Sequence, residues 1–402
     1  MSLGRKAPRT RRGDARGSVR KPIPYARQSI DQDDIEAVER VLRSDWLTTG
    51  PNVEAFETAI AKFVRAPYAV AVANGTAALH AAMFAAGIGP GDEVIVPAMT
   101  FAATANAVVF QGGTPVFSDV DPETLLLDPV QAESKVTPKT KAIIPVDFAG
   151  QPFDYDAFRA IANDHRLVLV ADSAHALGAE YKGRRVGSLA DLTTLSFHPV
   201  KQITTGEGGM VTTPKTEFRD AMVRFRNHGI TSDHRSRAEQ GTWFYEMVDL
   251  GYNYRITDIQ CALGRSQLRK LPGWLARRRA IARRYDKAFA DADAVRPLRV
   301  SPDVKHAYHL YIVQLNLERF RGGRAAVFRA LRDRGIGVNV HYIPVHLHPY
   351  YRKRFGTGPG LCPVAEAAYE RILSLPMFGS MTDSEVDRVI EGVDAVLQAL
   401  AA

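Results

Sequence analysis

Residues that could carry chemistry follow three of the apolar runs in this chain. Lys201 stands alone among threonines and glycines, Asp172 ends an apolar run, and Gly75-Thr76 opens an alanine-rich stretch. Taken alone, each has an ordinary interpretation. Lys201 is typical of a lysine that reaches solvent, Asp172 of a helix cap or turn, and Gly75-Thr76 of a helix cap.

Together, the three positions predict a site for pyridoxal 5′-phosphate (PLP). A lysine in a partly dehydrated pocket has a lowered pKa and attacks carbonyls, so Lys201 would form the Schiff base. Asp172 would hold the pyridinium nitrogen protonated, and the free N–H groups at a helix start near Thr76 would bind the phosphate. Ser196 would add a hydroxyl to the phosphate, and Phe101 would stack on the ring.

Strands and helices that alternate along the chain would position these residues. Short apolar strands separated by helices are typical of a mainly parallel sheet covered on both faces, and ligands bind beyond the carboxyl ends of such strands. The predicted strands are Tyr68–Val72, Glu93–Val96, Pro115–Ser118, Lys141–Val146, Leu167–Ala171, Thr193–Phe197 and Gly209–Thr212. The predicted helices between them include Thr76–Ala86, Ala102–Gln111 and Tyr155–His165.

The second half of the chain predicts a smaller α+β domain. Two long helices would lead into it, and the pattern beyond them mixes strands and helices without an internal repeat. We therefore expect a disordered basic tail over 1–22, a large domain over 23–270 and a small C-terminal domain over 271–402. The predicted elements are helices Ile256–Leu271, Trp274–Ala290 and Arg324–Arg334, strands Leu310–Leu315 and Gly337–Val340, and a final helix from Asp383.

The positive charge of the chain is concentrated in its first residues. Of a net charge of +8 over 402 residues, +7 falls in residues 1–21, which leaves the remainder nearly neutral. A basic extension of this kind could bind nucleic acid or serve as a transit peptide, but a solvated tail is the simpler interpretation. We therefore do not expect a nucleic-acid partner.

The remaining composition indicates an ordinary cytoplasmic protein. The longest uncharged stretch, Val94–Ser118, is interrupted by prolines and glycines and predicts strands and a helix rather than a membrane span. Two cysteines, Cys261 and Cys362, are too few for a disulfide framework. We expect both thiols to be reduced and no membrane partner.

Six stretches carry a further signal: NGTAALHAA, GDEVIVPAMTFAATANAV, ADSAHALGAEYKGRRVGSLAD, SFHPVKQITTGEGGMV, RNHG and DLGYNYRITDIQCALGRSQL. They resemble the DegT/DnrJ/EryC1/StrS family of sugar aminotransferases, which act on nucleotide-linked keto-sugars. The resemblance extends from about Ile23 to the C-terminus. It implies an α/β enzyme of PLP fold type I, like aspartate aminotransferase, with a large mainly parallel sheet domain and a smaller α+β domain.

The resemblance also implies roles at individual positions. It makes Lys201 and Asp172 catalytic and places His175 near the cofactor ring. Asn253 would reach the phosphate of a neighbouring subunit, so that a homodimer shares its active sites. The remaining cofactor contacts it implies are Gly75, Thr76, Phe101 and Ser196, and the substrate contacts are Tyr25, Trp46, Leu47, Thr48, Tyr254, His341, Tyr342 and Pro344.

Within the family, three stretches are most similar to one branch: SFHPVKQITTGEGG at 196–209, DFAG at 147–150 and HYIPVHLHPYY at 341–351. That branch moves the amino group of L-glutamate to C4 of a UDP-linked 6-deoxy-4-keto-N-acetylhexosamine in pseudaminic acid synthesis. Other nucleotide-sugar aminotransferases stay open, including GDP-perosamine synthase-like enzymes and 3-aminotransferases. A PLP sugar dehydratase is less compatible, because relatives with that activity carry histidine in place of Lys201, whereas His198 is a separate residue.

Three histidines near the C-terminus, His341, His346 and His348, could also be interpreted as metal ligands. No cysteine or acid lies at a suitable spacing from them. We therefore expect no metal.

Overall fold

The computed structural model describes residues 21–232 and 234–401, with His234 and Ser236 described in the backbone alone. The predicted tail over 1–22 therefore lies outside the described residues, except for Lys21 and Pro22. Within these ranges the helices are α1 (Gln32–Leu42), α2 (Pro51–Val64), α3 (Gly75–Ala85), α4 (Ala102–Phe110), α5 (Pro129–Glu133), α6 (Tyr155–Asp164), α7 (Thr216–Phe225), α8 (His234–Glu239), α9 (Asp258–Phe289), α10 (Gly323–Asp333), α11 (Pro349–Phe355), α12 (Pro363–Arg371) and α13 (Asp383–Ala399).

The strands form one large sheet and two small ones. They are β1 (Tyr68–Val72), β2 (Glu93–Pro97), β3 (Thr114–Ser118), β4 (Thr140–Ile143), β5 (Val168–Asp172), β6 (Glu180–Tyr181), β7 (Arg184–Arg185), β8 (Leu192–Ser196), β9 (Gly209–Thr213), β10 (Val295–Pro297), β11 (Val304–Lys305), β12 (Tyr311–Leu315) and β13 (Ile372–Leu375). The large sheet has the order β1-β9-β8-β5-β4-β2-β3, and the small sheets have the orders β10-β12-β13 and β11-β6-β7.

The large sheet is mixed but mainly parallel. The pairs from β8 across to β3 are parallel, whereas β9 runs antiparallel to both β8 and β1. Helices pack on its strands, including α3 on β8 and β9, α6 on β5 and α4 on β3. Strands covered in this way read as continuous apolar runs, because neither face meets water. The α/β class and mainly parallel sheet predicted from the sequence are confirmed.

A second apolar cluster lies around the small antiparallel sheet. Tyr311, Val313 and Leu315 of β12 pack there with the distal half of α9 and with α13, through residues such as Tyr285 and Val389. Helix α13 begins at a capping box in which Thr382 and Glu385 bond each other's backbone N–H groups, which explains its sharp start after Met381.

The prediction of two separate helices around Pro272 is wrong. Helix α9 runs continuously from Asp258 to Phe289 with Pro272 inside it. A proline removes one intrahelical hydrogen bond, but Leu271 and Leu275 on either side are buried in the large core, and this packing stabilises the continuous helix. The predicted division at 270/271 therefore falls within a helix.

The predicted strand Gly337–Val340 is also wrong. Asn339 makes only an isolated bridge to Ser374, and the N–H of Gly337 donates to the carbonyl of Ile23. The place beside β12 is taken by β13, a strand that the sequence pattern did not reveal. The other predicted strands of the large sheet agree with the structure, except that β4 ends at Ile143, before the predicted Val146.

Candidate active site

A cavity of about 600 Å³ opens where β5 and β8 end. Parallel neighbours end at the same edge of a sheet, so β5 and β8 bring the residues that follow them together. The volume of the cavity is typical of a ligand site. Ten of the residues predicted from the sequence line it: Tyr25, Gly75, Thr76, Phe101, Asp172, His175, Ser196, Lys201, His341 and Tyr342.

Lys201 lies in the tight loop between β8 and β9. Its backbone N–H donates to the carbonyl of His198 at 2.9 Å, and the loop closes where the N–H of Thr205 donates to Phe197 at 3.0 Å. Burial lowers the pKa of the Lys201 amine to about 8, while the charge of Asp172 acts in the opposite direction. The uncharged, nucleophilic amine is therefore accessible near neutral pH.

Asp172 is the last residue of β5 and only 5% exposed. Its Oδ2 accepts a hydrogen bond from the Thr104 hydroxyl at 2.7 Å, and its Oδ1 accepts one from the N–H of Ala174 at 3.2 Å. Burial raises the pKa of the Asp172 carboxyl, and these two bonds together with the charge of Lys201 oppose that rise. The carboxylate is thus held in a fixed orientation in the cavity wall.

The start of α3 forms a cradle beside Ser196. Asn74 caps the helix by accepting from the N–H of Ala77 at 2.8 Å, and the N–H groups of the first turn have no carbonyl partner within the helix. A Cβ on Gly75 would lie 3.0 Å from Cβ and 3.1 Å from Oγ of Ser196. The missing side chain therefore lets the Ser196 hydroxyl stand next to the helix start.

Gly209 lets strand β9 pass close to the start of α3. It pairs with Val72 of β1 on one side and Ser196 of β8 on the other, so it lies between the two strand ends. A Cβ on Gly209 would come within 2.2 Å of the carbonyl oxygen of Asn74. Only glycine allows the backbone of β9 to pass so close under the helix start.

Three neutral histidines form another wall of the cavity. The ring of His175 lies 4.3 Å from that of His309, and its Nε2 lies 3.2 Å from the hydroxyl of Tyr342. His341 bonds the Ser374 hydroxyl at 2.8 Å. Burial lowers the pKa of the His341 imidazole to about 4 and the pKa of the other two well below the usual range.

The residues present fit PLP. An amine with a lowered pKa suits its aldehyde, a fixed buried carboxylate suits its ring nitrogen, and a helix start with a neighbouring hydroxyl suits its phosphate. The cradle that a Cβ on Gly75 would fill is an observation independent of the charges. All of these groups line one cavity, as the combined interpretation of Lys201, Asp172 and Gly75-Thr76 requires.

Six predicted site residues do not line this cavity of the single chain: Trp46, Leu47, Thr48, Asn253, Tyr254 and Pro344. The first three are exposed in the loop before α2. Asn253 is exposed as well and pairs through its backbone with Asn227.

The other two are held inside the chain. The hydroxyl of Tyr254 lies 3.1 Å from Nδ1 of His80, and Pro344 is buried beside Val345, whose N–H donates to Ala98. His346 is fully buried and bonds Glu366 at 2.9 Å, away from the cavity. In the part of the chain that the structure describes, no group of three or more His, Cys, Asp or Glu side chains could hold a metal ion.

Sequence reasoning missed several residues at the cavity. Thr100, His309 and Asn339 line it, and Thr104 supports Asp172 from behind. Thr104 falls in the first turn of the predicted helix Ala102–Gln111, which begins directly after Phe101, so the sequence pattern could have placed it near the cavity. His309 precedes a strand of the other sheet, and no local signal connects it with Asp172.

Among residues 21–232 and 234–401, no helix is long and apolar enough to cross a membrane.

Comparison with known proteins gives one consistent result. Residues 28–394 match the sequence model of the DegT/DnrJ/EryC1/StrS aminotransferase family. The chain is 44% identical over 378 residues to the spore coat polysaccharide biosynthesis protein SpsC of Bacillus subtilis, which covers 94% of this chain and 97% of SpsC.

Two solved structures are similar along nearly their whole length. The PLP form of Spr1654 from Streptococcus pneumoniae, described as a sugar aminotransferase, has a TM-score of 0.88 and 35% identity, covering 95% of this chain and 100% of Spr1654. PseC of Helicobacter pylori, described as an aminotransferase of pseudaminic acid biosynthesis, has a TM-score of 0.88 and 31% identity, covering 94% of this chain and 100% of PseC.

Proposed function

The chain belongs to the DegT/DnrJ/EryC1/StrS family of PLP-dependent sugar aminotransferases, and from this premise we propose its substrates and the roles of its residues. The proposed reaction moves the amino group of L-glutamate to C4 of a UDP-linked 6-deoxy-4-keto-N-acetylhexosamine. The observation that carries the reaction type is the convergence of Lys201, Asp172 and the Gly75–Ser196 cradle on one cavity.

The binding residues have distinct tasks in this proposal. The N–H groups of Gly75 and Thr76, together with the Ser196 hydroxyl, bind the cofactor phosphate. Asp172 would accept a hydrogen bond from the protonated ring nitrogen, and its low exposure would protect that bond from water. Phe101 and His175 would flank the ring, and Tyr342 keeps the imidazole of His175 in place through the contact at 3.2 Å.

Lys201 has two tasks. When bound, PLP supplies an aldehyde that holds the amino group and a ring that takes up the electron pair released at the substrate carbon. The uncharged Nζ of Lys201 would hold the cofactor through that aldehyde, with loss of water, until the donor amine takes its place. The freed Nζ would then move a proton from the donor Cα to the cofactor and, with the keto-sugar, from the cofactor to the sugar C4. A pKa of about 8 suits an amine that must both accept and donate near neutral pH.

The choice of acceptor is supported by similarity to PseC and by the two motifs at 147–150 and 341–351. In the structure, both motifs contribute to the cavity or its support: His341 and Tyr342 line it, and Asp147 is bonded to the backbone of Asp172. The acceptor sugar would lie against Tyr25, His341 and Tyr342, which line the same cavity.

A homodimer would complete the site. The described residues that line the cavity include no arginine, and Lys201 is their one lysine beside four histidines, although both substrates are anionic. Asn253 follows an exposed apolar segment, in which Trp243 is 84% and Leu250 is 73% exposed. We propose that this segment packs on a second copy and that Asn253 and Trp46–Thr48 reach its cavity.

A substrate panel tests the proposal. The holoenzyme is incubated with L-glutamate and with UDP-, GDP- and dTDP-linked 4-keto and 3-keto sugars, and the products are identified by NMR. Formation of 2-oxoglutarate together with a C4 amine on the UDP sugar is the expected result. Amination of a GDP or dTDP sugar, or of C3, would contradict the proposed acceptor while leaving the aminotransferase assignment intact.

A second candidate acceptor follows from the similarity to SpsC, whose description concerns a spore coat polysaccharide. This relative is more similar to the chain than PseC, so amination of another nucleotide sugar of polysaccharide synthesis is the alternative. A PLP sugar dehydratase would instead release no 2-oxoglutarate in the same panel. The buried free thiols of Cys261 and Cys362 and the nucleotide-linked substrate support a cytoplasmic location.

A further inference from the structure

The Thr104 hydroxyl makes a hydrogen bond that is unusual for a threonine inside a helix. It lies in the first turn of α4 and is fully buried. A threonine inside a helix usually bonds the carbonyl four residues back or faces solvent. The Thr104 hydroxyl instead crosses to the neighbouring strand and donates to Oδ2 of Asp172 at 2.7 Å.

The direction of the hydrogen bonds around Thr104 follows from the chemistry of its partners. An ionised carboxylate only accepts, so the single proton of the Thr104 hydroxyl goes to Asp172. The Thr104 oxygen then accepts from the Thr100 hydroxyl, which lies 2.8 Å away in the cavity wall. The three residues form a chain from the cavity surface to the carboxylate. Such a chain strengthens each bond that it contains.

Apart from Thr104, Asp172 is kept charged by the positive charge of Lys201 and by one backbone hydrogen bond. Besides Thr104, the bond from the N–H of Ala174 is longer, at 3.2 Å, and binds the other oxygen. The backbone N–H of Asp147, a second buried carboxylate, donates to the carbonyl of Asp172, and the charge of Asp172 contributes to the raised pKa of the Asp147 carboxyl. The Thr104 bond is therefore the shortest contact that stabilises the ionised form.

We propose that Thr104 is a positioning residue, which holds the Asp172 carboxylate charged and turned towards the cavity through the hydroxyl chain that begins at Thr100. The inference rests on the proposed role of Asp172 as the partner of the cofactor ring nitrogen. Without the hydroxyl, Oδ2 of the largely buried Asp172 would lose its shortest hydrogen bond, and the carboxylate would take up a proton or turn away. The ring nitrogen would then lose its proton.

Binding of PLP to the apoprotein, followed by absorbance, tests the proposal without any sugar substrate. Thr104→Val has nearly the same shape without the hydroxyl, and we expect its PLP affinity to fall about tenfold, as for one lost bond to a charged group. The pH midpoint of the visible absorbance band reports the proton on the nitrogen that joins Lys201 to the cofactor. This midpoint should rise, because a ring without positive charge repels that proton less. Thr104→Ser should restore both values.

Thr193→Val is the matched control. Thr193 is also fully buried, it lies on β8 opposite Ala171, and its hydroxyl has no hydrogen-bond partner among the described residues. This variant should keep the wild-type affinity and midpoint. The proposal is overturned if Thr104→Val leaves both values unchanged, or if Thr104→Ser behaves like the valine variant.

Two further outcomes distinguish the role of Thr104 from misfolding of the variant and from failure of the proposed acceptor. If Thr104→Val does not fold, Thr100→Val is tested in its place. This variant removes the hydrogen-bond donor to Thr104 and should raise the pH midpoint by a smaller amount. An unchanged midpoint would contradict the hydroxyl chain from Thr100 to Asp172. If wild type binds PLP but aminates no sugar, the proposed acceptor fails while the Thr104 result still stands.

Discussion

The hydroxyl of Tyr342 lies 3.2 Å from Nε2 of His175, across 167 residues of sequence. It is the one hydrogen bond that the His175 ring makes among the described residues, since Nδ1 is buried without a partner. The contact joins the segment after β5 to the segment after α10. It thereby links two lining residues of the cavity that come from the large sheet and from the C-terminal part of the chain.

Tyr342→Phe should lower both stability and cofactor affinity. The variant leaves a buried imidazole without any partner, so the free energy of unfolding should fall by about 1–2 kcal/mol and PLP should bind a few-fold more weakly. Urea unfolding and PLP titration measure the two effects. Tyr350→Phe, a change at an exposed ring, is the control. Equal behaviour of the two variants would mean that the contact has no role.

The Lys201 amine in the apoprotein should react with an acylating reagent with a pH midpoint of about 8. Burial lowers the pKa of this amine, and the negative charge of Asp172 partly offsets that effect. Asp172→Asn should therefore move the midpoint to lower pH. Labelling followed by peptide mapping measures the modified fraction, and Lys201→Arg identifies the peptide. A midpoint near 10 in wild type would contradict the buried amine.

Lys201→Ala should abolish the absorbance of cofactor joined to the protein together with all transamination. The variant keeps the Gly75–Ser196 cradle and Asp172, so noncovalent binding of PLP should remain detectable by calorimetry. Transamination retained in this variant would rule out the proposed role of Lys201.

Gly75→Ala should weaken phosphate binding at the start of α3. The added Cβ would lie 3.0 Å from Cβ of Ser196 and push that side chain away from the helix start. Loss of one bond to a charged group predicts roughly tenfold weaker binding of PLP. Gly89→Ala is the matched control, because its Cβ would meet only Asp92 at 3.9 Å. Calorimetric titration of both apoproteins with PLP measures the two affinities. Equal affinities would mean that the Gly75–Ser196 cradle does not bind the phosphate.

Asp147→Asn should remove part of the pH dependence of stability. Burial raises the pKa of the Asp147 carboxyl to about 7, whereas an unfolded aspartate has a pKa near 3.9. Folding thus takes up a proton between these values. The stabilisation is complete below about pH 4 and is lost as the pH rises to about 7, at up to ~1.4 kcal/mol per pH unit.

Urea unfolding at several pH values between 5 and 8 compares this slope in wild type and Asp147→Asn. The variant should show a smaller decrease of stability with pH. Parallel curves would mean that Asp147 is already ionised across the range.

Mixing of two inactive variants tests the shared dimer site. If Asn253 serves the neighbouring cavity, a heterodimer of Lys201→Ala and Asn253→Ala contains one intact site. Random exchange of subunits should then restore about a quarter of the wild-type activity. Lys201→Ala mixed with Asp172→Asn is the control, because Lys201 and Asp172 act in the same subunit and the heterodimer has no intact site. Absence of recovery in the first mixture would contradict the proposed role of Asn253.

Local pattern was sufficient for the large sheet and for much of the cavity. Strands β1, β5 and β8 are short apolar runs followed by polar residues. The ends of β5 and β8 meet because the two pair in parallel, and β1 runs in the same direction on the other side of β9. The convergence of Lys201 and Asp172 followed from this rule. The pattern failed at Pro272, where burial of Leu271 and Leu275 outweighs the local effect of proline, and at Gly337–Val340, which packs against Ile23 rather than in a sheet.

The residue types that follow each strand could be recognised from the sequence, because apolar runs and helix starts are local properties of the chain. The bond from Thr104 to Asp172 and the contacts of His309 and Tyr342 with His175 depend instead on the folding of the whole chain. These contacts join segments far apart in sequence, and their geometry depends on how helices and sheets pack. No local spacing contains that information, since packing is settled by the burial of the whole core.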